Sequence, residues 1–209
     1  MALVVAIDGP AASGKGTIAA RLGEAFGLPV LDTGLLYRAV GVAVVAAGGD
    51  LDDEGAAARA AKTLRARDLD DRALRTDRAA EAASRVAVHP AVRAALIDFQ
   101  RAFAGQDGGA ILDGRDIGTV IIPAASAKIF VTATPRVRAE RRWRQLRQTQ
   151  PTLTFDDVLA DILRRDARDS GRAAAPLRPA SDAVLLDTSD LDIDEAFDAV
   201  RRIVEAARG

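Results

Sequence analysis

The sequence predicts an α/β fold in which a parallel five-stranded sheet is flanked by helices, and three observations predict it. Short apolar runs of strand length alternate with longer stretches whose apolar residues recur at helical spacing. A glycine-rich loop joins the first run to the first helical stretch. A second charged, glycine-spaced segment follows the third run, and parallel sheets bind ligands outside the carboxyl ends of their strands. At 209 residues the chain suits one domain with small insertions.

Leu3-Val4-Val5-Ala6-Ile7 is the first strand, with Met1 running straight into it, and Ile18 to Phe26 the first helix. Between them lie Asp8, Gly9-Pro10-Ala11-Ala12-Ser13-Gly14-Lys15-Gly16-Thr17, a phosphate-binding loop by both sequence and context. Small residues let successive backbone N–H groups converge on phosphate oxygens at a positive helix N-terminus, and Lys15 can reach the outer phosphates. A glycine-rich turn explains the glycines but not the lysine. The chain holds twenty-six arginines and three lysines, Lys15, Lys62 and Lys128.

Pro29-Val30-Leu31 reads as the second strand, and Thr33 as the cap of a helix over Leu35–Val45 that stops at Gly48-Gly49. Tyr37 and Arg38 lie one turn into that helix, whose N-terminus favours an anion. An aromatic core contact beside a snorkelling arginine explains the pair equally well. From Asp50 to about Arg78 the chain is charged and alanine-rich, an exposed helical insertion with a turn near Asp68–Asp71. Two helices joined at His89-Pro90 follow, with proline in a first turn. His89, the single histidine, reads as a helix-start residue.

Gly108 to Thr119 is a strand that ends in Asp113-Gly114-Arg115-Asp116-Ile117-Gly118. Asp113 can organise magnesium-bound water there or merely form a turn; Arg115 and Asp116 beside it favour a site. Ala127–Thr132 is the fourth strand. Thr134-Pro135 starts a helix carrying Arg136, Arg138, Arg141, Arg142, Arg144 and Arg147, read as part of a lid closing over a triphosphate, with Gln148–Thr154 as its tip and Trp143 as packing. A helix from Phe155 to about Ser170 buries Phe155, Val158, Leu159, Ile162 and Leu163 and aligns Arg165, Arg168, Asp169 and Arg172 on one side. Either an anion lies among those guanidinium groups, or Asp161, Asp166 and Asp169 pair with them. Ala183–Asp187 is the last strand. Ile193, Phe197, Val200, Ile203 and Val204 give the final helix its apolar face, with Asp192 or Asp190 as cap.

Composition excludes some classes of function. Net charge is −1 with both signs interspersed, unlike a protein built to coat nucleic acid or an anionic membrane. Without cysteine there is no disulfide framework or thiolate metal site. The absence of a leader and of a long apolar span predicts a cytoplasmic protein.

The stretches IDGPAASGKGT, LDTGLLYR (Leu31 to Arg38), ASRVAVHPAVR (Ala83 to Arg93), DGRDIGTV (Asp113 to Val120) and RRDARDSGRAAAPL (Arg164 to Leu177) together resemble the bacterial cytidylate kinases over nearly the whole chain. The resemblance implies a P-loop NTPase fold and phosphoryl transfer from ATP to CMP or dCMP; a monomer acting on small molecules, with no nucleic acid and no membrane, is expected. It divides the chain into a core (1–48, 79–134 and 173–209), a helical monophosphate-binding insertion at about 49–78 with contacts from 79–100, and a short lid at about 135–172. It implies ATP on Gly9 to Thr17, and the monophosphate on Thr33, Tyr37, Arg38, Ser84, Arg93, Arg115, Asp116, Arg165, Asp169 and Arg172. Lys15, Arg115, Arg168 and Arg172 would serve transfer, with Mg2+ held by Thr17 and, through water, Asp113. The GKGT ending, with its hydroxyl one place later than usual, suits such kinases. Related enzymes carry a β-rich insertion before ASRVA; Leu64 to Ala83 is too short for one, so helices are expected. A kinase of AMP, UMP or a small metabolite is the alternative, and a nucleotide-binding switch using its arginine-rich helix on nucleic acid is a third reading.

Overall fold

The computed structural model describes residues 2–70 and 72–208, so the expectations for Met1 and for Asp71 lie outside the described residues. The chain forms two compact units, one made by the chain up to Val30 and from Asp107 onward, the other by Leu31–Gln106.

The first unit is built on a parallel sheet of β1 (Leu3–Asp8), β2 (Val30–Asp32), β3 (Gly109–Gly114), β4 (Ala127–Thr132) and β5 (Val184–Asp187), in the order β2-β3-β1-β4-β5. The chain passes from the first unit to the second within β2, and just before β2 the Pro29 carbonyl accepts from Ile111 N at 2.9 Å. β1 pairs with β3 from Leu3↔Gly109 to Asp8↔Gly114 and with β4 from Val5↔Ala127 to Asp8↔Phe130. The loops after β1 and β3 therefore leave neighbouring strands at the same edge, where the chain switches sides. Val5, Ile7, Ile111, Ile129 and Val131 form the sheet's share of the core. Ile18 and Leu22 of α1 (Lys15–Phe26) and Ala196, Val200 and Val204 of α8 (Ile193–Arg208) close over it. Each of the valine, isoleucine and leucine side chains contributes roughly 1.5–3 kcal/mol when fully buried.

Helix ends follow local chemistry. Gly27 closes α1 in the left-handed region at φ 64°, its N–H bonded to Gly23 O. Asp192, of the two candidates, caps α8: its Oδ1 accepts from Asp194 N and Glu195 N, both at 2.8 Å. Ile193 is 41% exposed, so the apolar face expected of this helix begins one turn later. Thr134 caps α6 (Pro135–Leu146), and Thr154 and Asp157 form a reciprocal cap on α7 (Phe155–Ser170). α6 and α7 pack through Ala139, Val158 and Ile162, with Trp143 edge-on to Phe155 at 6.5 Å. Leu163, expected in that stripe, is 49% exposed, because it lies past the face that meets α6.

In the second unit, Asp32 rather than Thr33 caps α2 (Thr33–Ala46). Its carboxylate lies one residue nearer the strand and takes the Gly34 amide at 2.9 Å, so Thr33 becomes the first helical residue. α2 packs on α4 (Asp77–Val86), and α3 (Glu54–Thr63) packs on α5 (Pro90–Ala104). Gly41 permits the first contact, since a Cβ there would stand 2.7 Å from that of Ala82. The insertion is helical as expected but not simply exposed: Ala57, Ala58 and Ala61 are buried, as is Leu74 in the 3-10 turn Arg72–Arg75. Alanine stretches poor in large apolar residues still bury a face where helices approach closely. Among the described residues no helix is long and apolar enough to cross a membrane.

Candidate active site

The donor loop leaves β1 at Asp8. Gly9 has φ 152° and lies so close to β4 that a Cβ would stand 2.0 Å from Val131 O, which excludes any side chain. Gly14, at φ 89°, precedes α1 without a side-chain cap, so the helix's first amides stay available to an anion. Lys15 is buried; its Nζ donates to Pro10 O at 3.4 Å and stands 3.6 Å from Asp113 Oδ1. Gly16 explains the departure from the usual loop pattern. Any Cβ there would come 3.2 Å from Asp113 Oδ2, so a glycine after the lysine seats the carboxylate. Thr17 is exposed in the first turn of α1. The Ser13 hydroxyl is buried beneath the loop with no hydrogen-bond partner among the described residues.

The second loop leaves β3 through Gly114, Arg115 and Asp116 and turns through a π-helical segment, Ile117–Ile121. Asp8 holds it: its carboxylate accepts from Ile117 N and Gly118 N, each at 2.8 Å. Burial pushes the Asp8 carboxyl up to about 6, against those two hydrogen bonds and with help from the charges of Asp116 and Asp113. Arg115 donates from Nε to Asp169 Oδ2 at 2.9 Å and from Nη1 to Gly114 O at 3.2 Å. Arg172 pairs with the other Asp169 oxygen. Burial alone would raise the Asp169 carboxyl, but the charges of Arg115, Arg172 and Arg165 outweigh it and hold Asp169 below the usual carboxylate range. Arg165 stands 3.9 Å from Asp161, and Arg168 is half-buried on the same helix. The anion between Arg115 and Arg172 is thus a residue of the chain itself.

The arginines of α6 have partners in the protein. Arg138 is buried, donating to Ala133 O, to Ala11 O of the donor loop and to both oxygens of Asp166. Arg141 bonds Thr188 and Leu191 carbonyls, Arg142 Gln145 and Arg144 Glu140, while Arg136 and Arg147 lie over Phe155 and Trp143. Neither Arg138 nor Asp8 stands out in the sequence as a site residue. Arg138 is one arginine among six. Asp8 carries the same signal as Asp113, an aspartate ending an apolar strand.

In the second unit Thr33, Tyr37, Ser84 and Arg93 are all buried. Arg93 lies over the Tyr37 ring at 5.7 Å and donates to Ala87 O at 3.4 Å; Arg38 donates to Leu74 O at 2.9 Å. His89 Nε2 is 2.8 Å from Leu51 O, a structural contact at the start of α5.

Hard oxygen donors beside Lys15 come from Asp113 and Thr17, and no cluster of three or more Asp, Glu, His or Cys suited to a metal occurs among the described residues. Mg2+ usually takes one or two protein ligands and completes its shell with water and phosphate, which this pair fits.

The family model described as cytidylate kinase matches residues 5–206. The chain belongs to the cytidylate kinase family. Among its relatives, the cytidylate kinase of Xanthobacter autotrophicus is 63% identical over 206 residues, covering 99% of both chains. That of Caulobacter vibrioides is 61% identical over 208 residues, covering 100% of this chain and 98% of the relative. Two solved structures are similar in fold: an uncharacterised Eubacterium ventriosum protein (TM-score 0.57, 13% identity, 98% of this chain and 99% of that one) and a Thermus thermophilus protein (0.50, 20%, 98% and 97%). As a cytidylate kinase family member, this chain is an ATP-dependent nucleoside monophosphate kinase of pyrimidine nucleotide metabolism that phosphorylates CMP and dCMP.

Proposed function

We propose that the kinase performs this transfer with Lys15, Arg115, Arg168 and Arg172, and that the observation carrying the reading is the arginine pair Arg115 and Arg172 closed on Asp169, on the strand edge where Lys15 meets Asp113. The donor loop, Gly9 to Thr17, takes the ATP phosphates through backbone amides, and Lys15 neutralises the outer ones. Thr17 and, through water, Asp113 would hold Mg2+, which supplies further neutralisation of phosphate charge when bound.

An acceptor phosphate oxygen forms a bond to the γ-phosphorus as the bond to the ADP oxygen breaks. That nucleophile is already anionic, so no general base is required; what it requires is neutralised repulsion, the work of Arg115 and Arg172. Each Asp169 oxygen takes one guanidinium bond, and a carboxylate has about four acceptor positions, so capacity remains for a sugar hydroxyl. Asp116 supplies an acceptor for the cytosine edge, and Arg165 supports the same helix face. Of the helical unit's own residues, Arg38 is assigned to the acceptor phosphate, Ser84 and Arg93 to the base, and Thr33 and Tyr37 to the monophosphate. Residues 49–78 are the monophosphate-binding insertion and 135–172 the lid. A monomer in the cytoplasm suffices for this chemistry.

Release of ADP, measured by a coupled assay with ATP, Mg2+ and CMP, dCMP, UMP, AMP or GMP offered singly, tests the assignment. Rapid turnover confined to CMP and dCMP is expected. Equal use of AMP or UMP would overturn the roles of Ser84, Arg93 and Asp116. Lys15→Ala and Arg172→Ala are each expected to lose roughly 100- to 1,000-fold in kcat with the fold retained, the scale of removing one transition-state donor.

A further inference from the structure

Asp8 ends β1 and immediately precedes Gly9, the first residue of the donor loop. It is 4% exposed, and a buried carboxylate is costly unless its charge is hydrogen-bonded. Here the two oxygens are divided between successive amides, Oδ1 on Ile117 and Oδ2 on Gly118, the residues directly after Arg115 and Asp116. The junction leaves little room for adjustment. A Cβ on Gly118 would stand 3.4 Å from Asp8 Oδ2 and 3.2 Å from Cδ of Lys128, whose stem crosses from β4 to reach Asp182 at 2.7 Å. A neutral asparagine or serine could cap one amide at lower cost. An ionised carboxylate here is disfavoured by burial and by the charges of Asp116 and Asp113, and what it offers in return is two charge-assisted bonds to successive amides.

We propose that Asp8 is a positioning residue for phosphoryl transfer: by holding the Ile117 and Gly118 amides it fixes Arg115 and Asp116 against the donor loop and so sets the approach of the acceptor phosphate to the γ-phosphate. The inference rests on the (d)CMP kinase reading. Reacting atoms must come within about 3–3.5 Å, and a misplacement of about 1 Å can cost on the order of 100-fold in rate.

Asp8→Asn tests it, because the amide keeps the shape and one acceptor but turns an NH2 toward a backbone N–H. The expected result is a folded protein whose kcat with CMP is about 10- to 100-fold lower and whose KM for ATP stays within about two-fold, since the donor loop's own amides are untouched. Gly118→Ala crowds the same junction from the other side and is expected to lower kcat in the same direction. The double variant should then lose less than the product of the single losses. A folded Asp8→Asn enzyme with wild-type kcat overturns the proposal, as does a KM for ATP that rises as far as kcat falls, or fully multiplicative effects. If Asp8→Asn does not fold, Gly118→Ala decides: wild-type kcat in the folded variant overturns it. Wild-type protein without CMP turnover would instead overturn the functional reading itself.

Discussion

Asp169 and Asp8 are buried carboxylates that the chain treats in opposite ways. Asp169 lies between Arg115 and Arg172 and ionises more readily than a free aspartate, so its stabilisation is in place above the ordinary carboxyl range and is lost as pH falls through its lowered folded value. Asp169→Ala leaves two guanidinium groups facing each other, and urea unfolding should show a loss of about 3–5 kcal/mol, the usual cost of breaking a buried pair. Asp8 is raised from 3.8 to about 6, so the folded protein holds its proton where the unfolded chain has released it. Stability therefore declines with respect to this group as pH rises between those values, by roughly 3 kcal/mol in all. Asp8→Asn lacks that dependence: its unfolding free energy minus that of the wild type should increase between pH 4 and pH 7, and a constant difference would mean that Asp8 titrates normally. Sequence marks Asp8 only as an aspartate before a glycine, whereas Asp169 already lies on a helix face with arginines and its partner Arg172 is three residues on. What sequence does not give are the partners more than fifty positions away, Arg115 for Asp169 and Ile117 for Asp8.

At the scale of single elements, local chemistry was readable wherever partners lie within a turn. The cap at Thr134, the proline start of α5 and the strand Ala127–Thr132 all follow from neighbouring residues. Thr33 misled because a threonine and an aspartate compete for the same helix start, and the residue nearer the strand took it. The π-helical turn was not legible at all. Ile-Gly-Thr-Val-Ile carries no helical period, and the Ile122 N–H to Ile117 O bond at 2.7 Å forms in a segment whose start is anchored by Asp8. Two predictions belong here. Thr154→Ala removes the reciprocal cap of α7 and should cost about 1 kcal/mol, a fall of roughly 2–4 °C in Tm by calorimetry. Gly9→Ala forces a Cβ into Val131 O, and isothermal titration should find ATP binding lost or the donor loop displaced even if the sheet survives.

Over the whole molecule, basic charge resides almost entirely in arginine, and the three lysines have sharply different surroundings. Lys62 is exposed, Lys128 is buried against Asp182, and Lys15 is buried in the donor loop. Mild acylation followed by peptide mass analysis should modify Lys62 first with activity retained; loss of activity should follow Lys15 modification and be slowed by ATP. Five strands were countable from apolar runs, but their order was not, since it depends on pairings between distant segments that no local pattern encodes. The register of β1 also bears on how the chain is made. Leu3 pairs with Gly109 and Val5 with Ala127, so β1, once synthesised, has no partner until about a hundred more residues have followed, on the order of 5–20 s at ordinary rates of synthesis. Through that interval the donor loop exists as sequence but not as a phosphate cradle, because Gly9 has no Val131 carbonyl to lie against and Asp8 no amides to hold.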